Sequence, residues 1–291
     1  MCNDSFHLHS MYSFDDNPIT NEFLIRQNWP IQDNIFNFAM RSRLNMLPTP
    51  QFDEIINGKD HVFCPLCLSQ GNQCIQSLAH ILNGCVGKYR YYTARHNKVL
   101  DIIGEFLKSR DDVVELYKDK ALHIDDLPSE LSGLRPDIVA WSNERTKCIL
   151  VEIGVPYATH NMHGDKLEEV YSIKSNKYLP ICNHLRSKGI AVEHYTVIVS
   201  SLGAVYKESL KELKSLVRFN TKAFKTLIKR ISMNALIGSM DVWQSNGPKH
   251  TSKKANDNAE EEDQEEFLVI DDGKLLEEEE DVIDDQHPST L

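Results

Sequence analysis

Four residues, Cys64, Cys67, His80 and Cys85, carry the spacing CxxC-x12-HxxxxC. Two thiolates across a tight turn, with a histidine and a cysteine one helical turn apart at the other end, can converge on one tetrahedral zinc. Soft thiolate donors favour that ion in a reducing cell. Cys74 lies between the ligand pairs and competes for a place; Cys85 is preferred because its offset from His80 lets both point inward from one helix end. The 61–87 segment holds so little apolar material that bound metal is expected to supply much of its folding energy. Cys2, Cys148 and Cys182 have no such company and read as packing residues.

A second group is acidic. Side chains alternate along a strand, so in KCILVEIGV (147–155) Leu150, Glu152 and Gly154 share one face, and Val151, Ile153 and Val155 the other. In RPDIVAW (135–141) Asp137 shares a face with Val139 and Trp141. Pairing of the two runs as a hairpin around SNERT brings Asp137 and Glu152 side by side. Adjacent carboxylates repel unless a cation lies between them, and a hard ion such as Mg²⁺ takes oxygen ligands of this kind. In the helix expected next, Leu167, Val170, Tyr171, Tyr178, Ile181 and Leu185 form the buried stripe, and Lys174 falls on it. A lysine there needs a carboxylate or a substrate, and Gly154 leaves room for it beside Glu152. Lys177, one turn further on, is the competing lysine.

These residues need an α/β scaffold to hold them. From Asp33 as N-cap, NIFNFAMRSRLNMLPTP reads as a short helix with Arg41 and Arg43 exposed, ended by Pro48 and Pro50. A long helix is expected over 88–109, with Val99, Ile102, Ile103, Phe106 and Leu107 at helical spacing. VVELY, RPDIVAW, KCILVEIGV and VEHYTVIVS read as strands, a single helix as covering about 165–188, and helices as filling 204–240. The order predicts an α/β sandwich with a mixed sheet. Four regions follow: an N-terminal linker with a short helix (1–60), a zinc knuckle (61–87), the α/β domain (88–240) and a disordered acidic tail (241–291).

The net charge of −11 is unevenly spread: residues 257–291 hold 16 acids and one base, the rest 27 acids and 31 bases. Eight of those bases lie between 207 and 230 against two glutamates, a basic face suited to nucleic-acid phosphates. The N-terminus lacks a secretory pattern and no run of eighteen apolar residues occurs, so a reducing compartment, nucleus or cytosol, and no membrane partner are expected.

In order along the chain, RSRLNMLPT, the Cys/Cys/His/Cys knuckle with QSLAHILNGC, RHNKV, RPDIV, VEIGVP and KSNKY resemble the C-terminal part of site-specific non-LTR retrotransposon proteins, over roughly residues 35–200. There a zinc knuckle precedes a PD-(D/E)xK restriction-like endonuclease that nicks target DNA for reverse transcription. The resemblance implies a restriction-endonuclease-like mixed sheet flanked by helices, Mg²⁺ held by Asp137 and Glu152, Lys174 in KSNKY as a displaced catalytic lysine, and Arg95 and His96 near DNA; Arg90, with Arg95, is expected to join the basic face on the phosphate backbone. Gly154 stands where that pattern has its lysine. The chain has no reverse transcriptase upstream and reads as a detached piece, so a separate reverse transcriptase is an expected partner, with DNA, or RNA, as ligand. A binding remnant that does not cut and an interaction protein whose carboxylates merely pair with Lys174 or an arginine are the alternatives. His160 and His163 in YATHNMHGD read as solvated, and Glu105 as an exposed helical residue rather than a further metal contact.

Overall fold

The structure, a computed structural model, describes residues 18–24, 31–58, 62–122, 127–161 and 164–245. Residues 246–291, Cys2 and His163 lie outside the described residues; the tail expected from 241 is corrected at its start, because 241–244 are helical and Val242 is buried. The strands are β1 (Glu115–Lys118), β2 (Ile138–Trp141), β3 (Lys147–Gly154), the short pair β4 (His160–Asn161) and β5 (Gly164–Asp165), and β6 (Ala191–Ile198). The central sheet runs β1-β2-β3-β6. β1, β2 and β3 are antiparallel neighbours, and β3 pairs with β6 in parallel from Lys147↔Ala191 to Gly154↔Ile198. The protein is therefore mixed α/β around a four-stranded mixed sheet.

Local sequence explains the topology. SNERT reverses the chain tightly because Glu144 and Arg145 adopt left-handed backbone, with φ of 58° and 53°. The parallel β3-to-β6 connection needs a crossover, supplied by α6 (Lys166–Lys177) and α7 (Leu179–Ser187). The single helix expected over 165–188 is thus two. Pro180, in the first turn of α7, has no N–H to continue the ladder of α6, and Tyr178 is the break. The apolar stripe survives it: Leu167, Tyr178, Ile181 and Leu185 are all buried.

The other helices are α1 (Asp33–Arg43), α2 (Pro50–Asn57), the one-turn α3 (Pro65–Leu68) and α5 (Ser129–Ser132), α4 (Tyr89–Lys108), α8 (Lys207–Leu216) and α9 (Thr221–Gln244). One sheet face, with Ile138, Ala140, Ile149, Val151, Ile153 and Val197, packs against α4, α8 and α9; the other, with Val139, Trp141, Cys148 and Leu150, packs against α7. Cys148 and Cys182 meet in that second core, as packing residues. α8 also closes the β6 edge: Glu212 accepts from Thr196 N, and Ser209 Oγ accepts from Ile198 N at 2.9 Å and donates to the Thr196 carbonyl at 2.7 Å. An open strand edge is thereby removed.

Four expectations for the N-terminal third are corrected. Asp33 begins α1 rather than capping it, and Pro50 begins α2 behind the N-cap Thr49, as a proline can in a first turn where no N–H is needed. Arg43 is buried, not exposed: its guanidinium donates to the Leu202 carbonyl at 3.2 Å and to Asn21 Oδ1 at 2.9 Å. Nor is this region a linker. Ile35, Phe38 and Ala39 of α1, with Leu78, Ile81 and Leu82 of the knuckle and Leu236 and Met240 of α9, make one core.

Candidate functional site

Cys64, Cys67, His80 and Cys85 come together with all four ligand atoms within 4.8 Å of one another. Cys64 and Cys85 Sγ are 3.6 Å apart, Cys67 and Cys85 Sγ 4.0 Å, and His80 Nε2 is 3.4 Å from Cys67 Sγ. Neighbouring ligand atoms around a tetrahedral zinc stand about 3.5–3.8 Å apart, so the cluster can hold a metal such as zinc. Cys74 is outside it; its carbonyl accepts from Cys64 N at 2.8 Å and closes the first ligand turn. The second ligand pair sits on a π-turn, His80–Gly84, that runs into Cys85.

Register brings the carboxylates together. Ile138 opposes Val151, so Asp137 and Glu152 are the next pair along. Asp137 N donates to Glu152 Oε1 at 3.3 Å, and Ile153 N to Asp137 Oδ2 at 2.6 Å. Glu152 is 1% exposed. Lys174 reaches in from α6, its Nζ 2.7 Å from Glu152 Oε2 and 3.9 Å from Asp137 Oδ2. Gly154 makes the passage: a Cβ there would lie 3.3 Å from Lys174 Cδ and 2.7 Å from Ile198 Cδ1. Tyr178 seals the floor, donating to the Arg135 carbonyl at 2.6 Å.

His96 is also in the site, with Nε2 3.4 Å from Asp137 Oδ2. Burial pushes its pKa down, but the hydrogen bond to Asp137 and that carboxylate's charge outweigh burial and raise it. Burial pushes Asp137 up, yet His96 and Lys174 hold it below its ordinary value. The resemblance implies His96 near DNA and does not link it to Asp137. The link was detectable, because His96 lies three and seven residues before Val99 and Ile103 on the apolar stripe of α4.

Other residues fall elsewhere. Lys177 is exposed with its ammonium over the Tyr178 ring at 4.6 Å, and Lys174 is the lysine bonded to Glu152. Arg90 is exposed and stacks on Tyr91. Arg95 is 2% exposed, so the reading of it as a DNA contact is corrected: it faces inward because Gly238 lets α9 approach, and it donates to Ser239 Oγ at 2.8 Å. Glu105 is paired with Arg230 at 2.8 Å, nine residues along α4 from His96 and so about 13 Å away. In the basic stretch Lys211, Arg218, Lys229 and Arg230 pair with acids, whereas Lys207, Lys214, Lys222 and Lys225 have no carboxylate partner among the described residues. No helix among the described residues is long and apolar enough to cross a membrane.

No protein-family model matches the chain, and no curated protein matches it.

Proposed function

We propose that the protein is a Mg²⁺-dependent DNA endonuclease of PD-(D/E)xK type, of the kind found with a zinc knuckle in site-specific non-LTR retrotransposon proteins. One observation carries the reading: Asp137 and Glu152 stand side by side on paired strands, with Lys174 delivered to them through the gap at Gly154. The site suits a hydrated cation, because Thr196, the β6 residue paired with Glu152, has a buried Oγ1 with no partner among the described residues. Asp137 and Glu152 would hold the ion. When bound, Mg²⁺ polarises a phosphate oxygen and lowers the pKa of a bound water.

The chain's own groups do the rest. Lys174 Nζ orients the attacking water or donates to the phosphate oxygens as charge builds on them. His96 fixes Asp137 by its Nε2 contact and holds a proton beside it. Arg90 and the unpaired lysines of α8 and α9 bind the phosphate backbone, so affinity falls steeply with salt.

Supercoiled plasmid incubated with the protein and Mg²⁺ tests this. Conversion to open circle, abolished by Asp137→Ala and Glu152→Gln and slowed by Lys174→Ala, is expected; no conversion, or undiminished conversion by Asp137→Ala, refutes it. The 2.7 Å Lys174–Glu152 ion pair favours a second, purely structural reading. On that reading Asp137→Ala lowers the melting temperature and Mg²⁺ does not raise it.

A further inference from the structure

Val155 follows β3 three residues beyond Glu152, and its carbonyl is gripped from two sides. Asn83 Nδ2 donates to it at 2.7 Å and Arg95 Nη2 at 3.3 Å. Asn83 lies in the π-turn between the ligands His80 and Cys85. Arg95 stands over the Tyr92 ring at 5.5 Å, and the Tyr92 hydroxyl accepts from Cys85 N at 3.0 Å and donates to the Ile81 carbonyl at 2.9 Å. Both arms therefore start from the same ligand turn. The residue after Arg95 is His96, the partner of Asp137. The knuckle is thus joined to each carboxylate, to Glu152 along β3 and to Asp137 through α4.

Packing alone does not account for this. Among the described residues, Asn83 Oδ1 and Arg95 Nε are buried without a hydrogen-bond partner and buried Arg95 has no carboxylate beside it. Apolar residues of similar volume would fill the space without leaving polar atoms unsatisfied.

We infer that Asn83 is a positioning residue, through which metal in the Cys64/Cys67/His80/Cys85 knuckle sets the end of β3 and with it the Asp137–Glu152–Lys174 cluster. Ligation at both ends of the turn holds Asn83 on Val155. Loss of the metal frees the turn, and the carbonyl loses its shorter bond. Because coupling between two sites is reciprocal, changes at the carboxylates also alter metal affinity at the knuckle. The coupling stands on this geometry alone; its effect on hydrolysis rests on the nuclease reading.

The test uses the full zinc-loaded chain as wild type, Asn83→Ala and Ser69→Ala. Ser69 serves as the knuckle control because its Oγ bonds the nearby Leu66 carbonyl and no other group among the described residues. Zinc content is measured together with NMR hydrogen exchange and chemical shift of the Ile153 amide, which donates to Asp137. Asn83→Ala is expected to keep its zinc while Ile153 exchanges about five-fold faster, as the loss of one net hydrogen bond predicts, and Ser69→Ala to leave Ile153 unchanged. An unchanged Ile153 in zinc-loaded Asn83→Ala overturns the coupling, as does a uniform acceleration of all core amides. Should Asn83→Ala lose zinc, Asn83→Asp, which sets a carboxylate oxygen against the Val155 carbonyl, is read by the same criteria. If Ile153 responds as expected but no form nicks plasmid, the coupling stands and the nuclease reading fails.

Discussion

Glu152 lies almost wholly inside the protein, and its environment explains how a carboxylate is tolerated there: Lys174 bonds one oxygen and the backbone N–H of Asp137 the other. The glycine two residues on makes this possible. Gly154→Ala is expected to cost about 1–3 kcal/mol, typical of overpacking, and to displace Lys174, both readable by thermal melts with and without Mg²⁺. His96 makes a pH-dependent prediction. Its folded pKa is raised above the ordinary value of 6.5, so its stabilising contribution is full below about 6.5 and is lost as pH rises through the folded value. The gap in melting temperature between wild type and His96→Gln should therefore shrink above about pH 6.5; a constant gap would show that the Asp137 contact does not matter. Strand alternation and helical period make Asp137, Glu152 and Lys174 legible in the sequence, because each rule fixes a face. Arg95 is not legible, since its burial depends on Gly238, which lies 143 residues away in sequence. Asn83 is invisible for the same reason.

Among the elements, the knuckle has the largest consequence for its size. Leu78, just before its second ligand turn, and Ile81 and Leu82 within that turn enter the core with α1 and α9. Each such side chain contributes about 1.5–3 kcal/mol on burial. Chelation of the metal, or Cys64→Ser, is therefore expected to lower the stability of the whole α/β unit rather than to unfold a separate finger, as a thermal melt with and without chelator will show. A melt unchanged by chelator would mean the knuckle folds without metal. The long helix and the strands are legible because apolar period and β-branched runs agree over their lengths. The break at Tyr178 is not, since the apolar stripe continues across it and Pro180 is compatible with a helix's first turn. The role of α1 escapes for a similar reason, as the partner that buries Ile35 and Phe38 is α9, far along the chain.

At the scale of the molecule, the sheet carries a cluster of paired charges at each of its two ends. Far from the Asp137–Glu152 pair, Asp112 accepts from Arg110 at 2.9 Å, Lys147 at 3.0 Å and Arg218 at 2.5 Å, and Lys147 also holds Glu193 at 2.6 Å. This network ties the starts of β3 and β6 to the segment after α4 and the end of α8. Arg110 above all holds the Asp112 carboxyl well below the ordinary 3.8. Its contribution is present above about pH 4 and is lost as pH falls through the folded value. The stability difference between wild type and Asp112→Asn should vanish on acidification, and a difference that persists to low pH would remove the network from the account. The mixed α/β class is legible from the order of elements, whereas this network is not, because its members are scattered in sequence between 110 and 218.

The central question is whether the cation between Asp137 and Glu152 is a metal ion or only Lys174. Anomalous diffraction from crystals soaked in Mn²⁺, a stand-in for Mg²⁺, answers it most directly. One peak is expected within coordination distance of both carboxylates, absent in Glu152→Gln, with Lys174 still within reach. No peak there, with Lys174 still bonded to Glu152, would contradict the metal-bound reading.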